Sequence, residues 1–413
     1  MRLLYVEIKR ILKTKITWML MGSSFLLAVF MAYVPATFEE AVVTDEEGRE
    51  TQLSGLDAIH YFQKNSQMFG EVTIEKLEKT VEAYQEVYAA YDSEYGDGIP
   101  AVVYYEKLAG YSPFIRGIKE AYANLENGMA PVVRDLDKNL MKEYYERLPL
   151  RLASLMDMEQ GKYPSAKQTA LRKFEDVKRP YAYYYGASGN SMDYETLFLF
   201  LLTIFGVVIT ATVFSSDYQT GAADIHCCTK YGRLRLALVK VAATILITGS
   251  MYLICGVIWI LVTNSLFGWE GTKTSMQLLF SITALVPYTV GQLQWVNLLG
   301  SCAFYLAAIS FTLFISARAK DNVWALAAGL FFVFLPVITS MSVPGALGDW
   351  ISCLLPSGGI GLTNSLLYAL CDYTFLHIGA ASFWNVDVLL VLAAIKVPVF
   401  LALAAGGYCR RYA

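Results

Sequence analysis

The chain has 413 residues, of which 55% are hydrophobic and only 17% charged. Soluble domains carry about a quarter charged residues, so this deficit excludes a wholly soluble protein and makes lipid part of the solvent. Residues 36–193 hold 27 of the 36 acidic and 18 of the 33 basic side chains, a net of −9 that argues against nucleic acid as a partner, whereas the remainder is +6 on an apolar background.

Taken in chain order, the first 15 residues place Leu4, Ile8, Ile11 and Leu12 on one helical face, with Lys9, Arg10 and Lys13 elsewhere on the wheel. This spacing predicts an amphipathic interfacial helix on the inner membrane surface, bending into the first span. About 20 apolar residues cross a bilayer. Ile16–Val34 qualifies, and no small-residue cleavage site follows it, so it reads as a retained span rather than a signal peptide.

Residues 36–193 are long enough to form their own apolar core, and all seven cysteines lie outside them. Ile74, Leu77, Val81, Tyr84, Tyr88 and Tyr91 recur in steps of three and four, a heptad seam. A second helical stretch is expected over Val133–Met158. Gly96-Asp-Gly-Ile-Pro100 breaks the chain between helical regions, and Arg179-Pro180 ends the last one. The prediction is a mainly α-helical ectodomain. Its tyrosines (Tyr104-Tyr105, Tyr144-Tyr145, Tyr181, Tyr183–Tyr185) suit either a ligand site or an interfacial aromatic belt.

Thr196–Phe214, Leu236–Leu266, Val296–Ile315, Val323–Met341 and Val386–Gly407 supply five further spans. Lys and Arg mark alternate short loops: Arg2, Lys9, Arg10, Lys13 and Lys15, then Lys230, Arg233 and Arg235, then Arg318 and Lys320, then Arg410 and Arg411. The 267–295 loop has only Lys273, and the 342–385 loop has neither Lys nor Arg. Six spans with both termini cytoplasmic and residues 36–193 extracytoplasmic satisfy the whole set, with the plasma membrane as the expected location. Ser275–Val290 is apolar, but a crossing there would put Arg318 and Lys320 outside, so an interfacial or re-entrant helix is expected. Residues 351–370, broken by Pro356 and Gly358-Gly359-Ile360-Gly361, read as a re-entrant pair of short helices. Cys353 and Cys371 fall on this side, and the spacing leaves open whether they pair.

No Walker, zincin, nucleophile-elbow or C-x-x-C pattern is present, so the chain reads as non-catalytic, without a cofactor of its own. His226-Cys227-Cys228 lacks a second ligand pair, so no metal site is expected. Lys396 is a charge inside a span and suits a pathway or an interface between chains. The inner loop over residues 215–236 is the most distinctive stretch. Asp217 is followed by Gly221 four residues on, then Asp224, then Thr229-x-x-x-Arg233, Arg235, and Lys240 seven residues after Arg233. The acid and glycine are expected to open a short helix parallel to the membrane.

That pattern resembles the signature loop of ABC-2-type transporter permeases, and the interfacial helix, six spans and broken outer helices are similar to that family too. The likeness covers the membrane part, residues 1–35 and 194–413. Aspartate stands at 217 where the family more usually has glutamate. The resemblance implies that residues 217–235 hold a coupling helix docking on a separate ABC ATPase, which binds ATP and Mg, and that two permease chains form the pathway. Asp217, Gly221, Asp224, Arg233 and Arg235 would then transmit ATPase closure. The large domain after span one is similar to members that export peptides, antibiotics, lipid-like compounds or ions. The alternative is a membrane-anchored receptor or assembly factor working through the ectodomain.

Overall fold

The computed structural model describes residues 2–45, 47–64, 68–229 and 232–410. Lys230, Tyr231 and Arg411 lie outside the described residues.

Six helices are long and apolar enough to cross a membrane, which fits an all-α, multi-pass membrane protein. Helix α1 (Arg2–Lys13) breaks at Thr14, whose backbone is extended, and α2 (Lys15–Tyr33) follows. The apolar face of α1 packs on the bundle: Ile11 is buried, and Leu4, Ile8 and Leu12 rest against the same core. A 3-10 turn with Pro35 in its first turn extends the first span to Phe38.

Next comes the inserted domain. An antiparallel hairpin, β1 (Glu40–Thr44) and β2 (Glu50–Ser54), leads to α3 (Leu56–Lys64), β3 (Gly70–Glu71) and α4 (Ile74–Ala90). Thr73 caps α4 by accepting from the Lys76 amide. The heptad seam holds in its middle, where Leu77, Val81, Tyr84 and Tyr88 are buried, but frays at Tyr91, which is exposed. A short α5 (Ala101–Val103), then π and 3-10 turns, lead into α6 (Ser112–Ala121). The helix expected over 133–158 forms only in its second half. Residues 133–143 fold as two 3-10 turns around extended Leu136 and Asp137, because the Asp137 carboxylate takes the Asn139 amide and turns the chain there. Helices α7 (Tyr144–Gln160) and α8 (Pro164–Glu175) follow, and β4 (Ala182–Tyr183) pairs with β3. The core of the domain joins α4 to Phe114 and Ile118 of α6, Leu148 and Leu152 of α7, and Phe174 of α8.

The remaining spans are α9 (Gly189–Gln219), α11 (Leu234–Phe267), α12 (Val290–Arg318), α13 (Asn322–Ser342) and α16 (Asn385–Arg410), with α10 (Ala222–Cys227) in the loop between the first two. Helix α12 is central, packing against α9, α11, α13 and α16. Small residues set the crossings. A Cβ on Gly206 would lie 2.4 Å from the Tyr305 hydroxyl, and one on Gly256 would lie 2.2 Å from Leu298. Tyr305 stacks on Tyr252 at 4.3 Å and donates to the Thr248 carbonyl at 3.1 Å.

The 275–290 stretch departs from expectation. It carries a single 3-10 turn (Met276–Leu278) and otherwise irregular chain, plugged into the inserted domain rather than lying as a helix. Met276, Leu278, Ile282 and Leu285 are buried, and Gln277 donates to the carbonyls of Ala284 and Val286, satisfying the backbone that a helix would otherwise have satisfied. Tyr181 donates to the Ile282 carbonyl at 2.6 Å, and Arg116 donates to that of Leu278. In the 342–385 connection, α14 (Ala346–Leu354) and α15 (Leu366–Cys371) flank an irregular turn, and Cys353 and Cys371 are free thiols. A hairpin that the periodicity did not signal, β5 (Phe375–Ile378) with β6 (Ala381–Trp384), follows. The inserted domain docks there too. Ser165 donates to the Ala380 carbonyl at 2.8 Å, and Lys173 lies 3.1 Å from Asp387 and over the Trp384 ring.

Candidate functional site

The loop between α9 and α11 is built on a buried charge network. Helix α9 carries Asp217 in its last turn, and α11 carries Lys240 in its second. Both are buried, and the Lys240 ammonium donates to Asp217 Oδ2. The other carboxylate oxygen, Oδ1, accepts from Arg10 of α1 at 2.7 Å. Arg10 also lies 2.9 Å from buried Glu7, one turn back. The Val213 carbonyl accepts from Arg10 at 3.2 Å and from Lys240 at 3.3 Å. His226 Nδ1 stands 3.6 Å from Asp217 Oδ2. Two cations thus face two carboxylates across three helices. Removing a charge from water costs several kcal/mol, which only close, multiply hydrogen-bonded partners offset. The network therefore ties α1 to the start of the loop and to its end.

Above this base, local geometry shapes the tip. Gly221 adopts φ +72°, the left-handed conformation that lets α9 turn into α10. A Cβ on Gly232 would meet the His226 carbonyl oxygen at 1.5 Å, so the return turn admits only glycine. Ile225 and Leu234 are 71% and 57% exposed, so the tip presents apolar side chains outward.

Of the residues singled out in the sequence, the structure brings Asp217 together with Lys240 and places Gly221 at the turn. Asp224, Arg233 and Arg235 are exposed. Sequence reasoning missed the roles of Arg10 and Glu7. Glu7 is the one acid among the first 15 residues, and that isolation was the available signal.

Lys396 forms a second, separate centre. It is buried, and its ammonium donates to the carbonyls of Cys353 at 2.5 Å and Leu355 at 2.6 Å. A cation here satisfies acceptors that the end of α14 leaves open and complements its dipole. Glu195, also missed, is 1% exposed on α9 beside Asn297 of α12. The Glu195 carboxylate and the Asn297 side-chain amide form a buried polar pair between the two helices. Among the described residues, no group of three His, Cys, Asp or Glu side chains is placed to hold a metal ion.

Comparison of the chain with protein-family models, curated proteins and solved structures finds no match.

Proposed function

We propose that the chain is the permease subunit of an ABC-2-type transporter, exporting a peptide, antibiotic, lipid-like compound or ion. In this reading it is not an enzyme and carries no cofactor, and a separate cytoplasmic ATPase binds ATP and Mg. The observation that carries the reading is the Asp217–Lys240–Arg10 network beneath an exposed apolar tip. A loop that transmits force needs a stiff base and an outward contact surface. The base joins α1, α9 and α11, so a push on α10 displaces three helices together rather than bending the loop. Asp224, Arg233 and Arg235 border that contact surface. The alternation of basic loops sets the termini and α10 on the cytoplasmic side and the inserted domain outside, in the plasma membrane. A second permease chain would cover spans α2, α13 and α16, whose apolar surfaces are mostly exposed.

Supporting work would purify the tagged chain from its native membranes and ask whether a Walker-motif ATPase accompanies it. Its presence with the intact chain, and its loss on Ile225→Glu, is the expected result. Absence of any such ATPase from a folded, intact chain would remove the reading. In that case the remaining reading is a membrane-anchored receptor or assembly factor working through the inserted domain.

A further inference from the structure

A cavity of about 890 Å³ lies where the inserted domain meets the end of the first span, within the size range of small-molecule sites. Its wall is aromatic. Phe62 stacks on Tyr185 with centroids 5.3 Å apart, approaches Tyr105 at 6.3 Å and Tyr61 at 5.5 Å, and Tyr104 meets Tyr105 edge-on at 5.4 Å. Rings of an interfacial belt point outward to lipid headgroups, whereas these surround a common space.

The charges around that space have one sign. Glu39, Glu40, Glu86 and Glu106 line it, against Lys107 as the single basic lining residue. Glu39 accepts from the Tyr185 hydroxyl at 3.0 Å, and Glu106 accepts from the Thr44 amide at 2.8 Å. Among the described residues, none of the four carboxylates is ion-paired. Burial raises the Glu39 carboxyl above its ordinary value, and the Tyr185 hydrogen bond offsets part of that rise. A half-buried acid without a counter-ion, set among ring faces, is completed by a cation.

From this cavity we infer a binding site for an organic cation: an amine or quaternary ammonium with an apolar body, its charge at Glu39 and its body against Phe62 and Tyr105. An anion is repelled by four carboxylates. A metal ion is disfavoured because, among the described residues, no three of these carboxylates converge to hold one. The assignment does not depend on the transport reading, because binding is measured on the chain alone.

The test is calorimetry on the detergent-purified full chain with phenyltrimethylammonium as probe and benzenesulfonate, of similar shape and opposite charge, as control. The expected result is saturable binding of the cation and none of the anion. Glu39→Gln and Phe62→Ala should each weaken binding about tenfold, and Glu39→Asp should restore part of it. Thermal unfolding of each variant, unchanged from the parent, establishes that the domain stays folded. Equal uptake of both ions, or cation binding indifferent to both Glu39→Gln and Phe62→Ala, would overturn the assignment.

Discussion

Lys240 and Asp217 lie 23 residues apart on consecutive membrane helices and meet as a buried ion pair, with Arg10 holding the second carboxylate oxygen. Replacing Asp217 with Asn would leave two cations facing each other without their shared anion. Breaking a buried pair this way costs about 3–5 kcal/mol. Denaturant unfolding in detergent should show that loss. Adding Lys240→Met should recover at least about 1 kcal/mol, since the two residues share one network. Strict additivity would mean that the pair does not form.

The return turn of the loop rests on Gly232. A Cβ there collides with backbone, which cannot move aside as a side chain can. Gly232→Ala should cost on the order of 2 kcal/mol and expose the 221–234 loop to limited proteolysis. Gly22→Ala is the control, because an added Cβ there meets nothing within 4 Å. Equal protease resistance in the two variants would contradict the geometry.

Lys396 holds the chain where α14 ends. Lys396→Met would orphan the Cys353 and Leu355 carbonyls, at about 1–3 kcal/mol, and loosen the turn. Cys353 is 3% exposed. In a background with the other cysteines changed to alanine, maleimide should label it slowly in the parent and several-fold faster in the variant. Unchanged labelling would show that the lysine does not hold this turn.

Glu120 fastens the inserted domain to the 281–282 chain, accepting from Ser281 and from the Ile282 amide. Burial raises its carboxyl above the ordinary 4.5, and the hydrogen bonds from Ser281 and Ile282, together with the nearby charges of Arg116 and Arg151, offset only part of that. A raised folded-state value means that protonation favours the folded form. Its contribution is fully present below 4.5 and is lost as pH rises through the folded value. Thermal stability of the parent should therefore increase from neutral pH towards 4.5. Glu120→Gln, which keeps an acceptor and adds a permanent donor, should show a shallower dependence. Parallel pH curves for the two proteins would count against this role.

Much of this architecture was readable in the sequence because hydropathy and breakers act locally. Each of the six apolar runs forms a helix, and Gly221 and the Gly358–Gly361 run fall where the chain turns. One error arises because hydropathy does not separate burial in lipid from burial in protein. The 275–290 stretch is apolar because it is buried under the inserted domain, where side chains such as Gln277 satisfy an irregular backbone. Glu195 escaped notice because the second span was started one residue after it. Arg10 reaches Asp217 across 207 residues, a pairing that no local period announces. The site was thus half legible: Asp217, Gly221 and Lys240 stood out by spacing, and their partners on α1 did not.

In the proposed function, the tip at α10 is where an ATPase engages. A photo-crosslinking residue in place of Ile225, which is exposed at that tip, tests it most directly in native membranes. The expected result is a cross-linked product containing a soluble Walker-motif ATPase, abolished by Asp217→Asn at equal chain abundance. A folded chain that yields no ATPase cross-link from this position, with the loop intact, would contradict it.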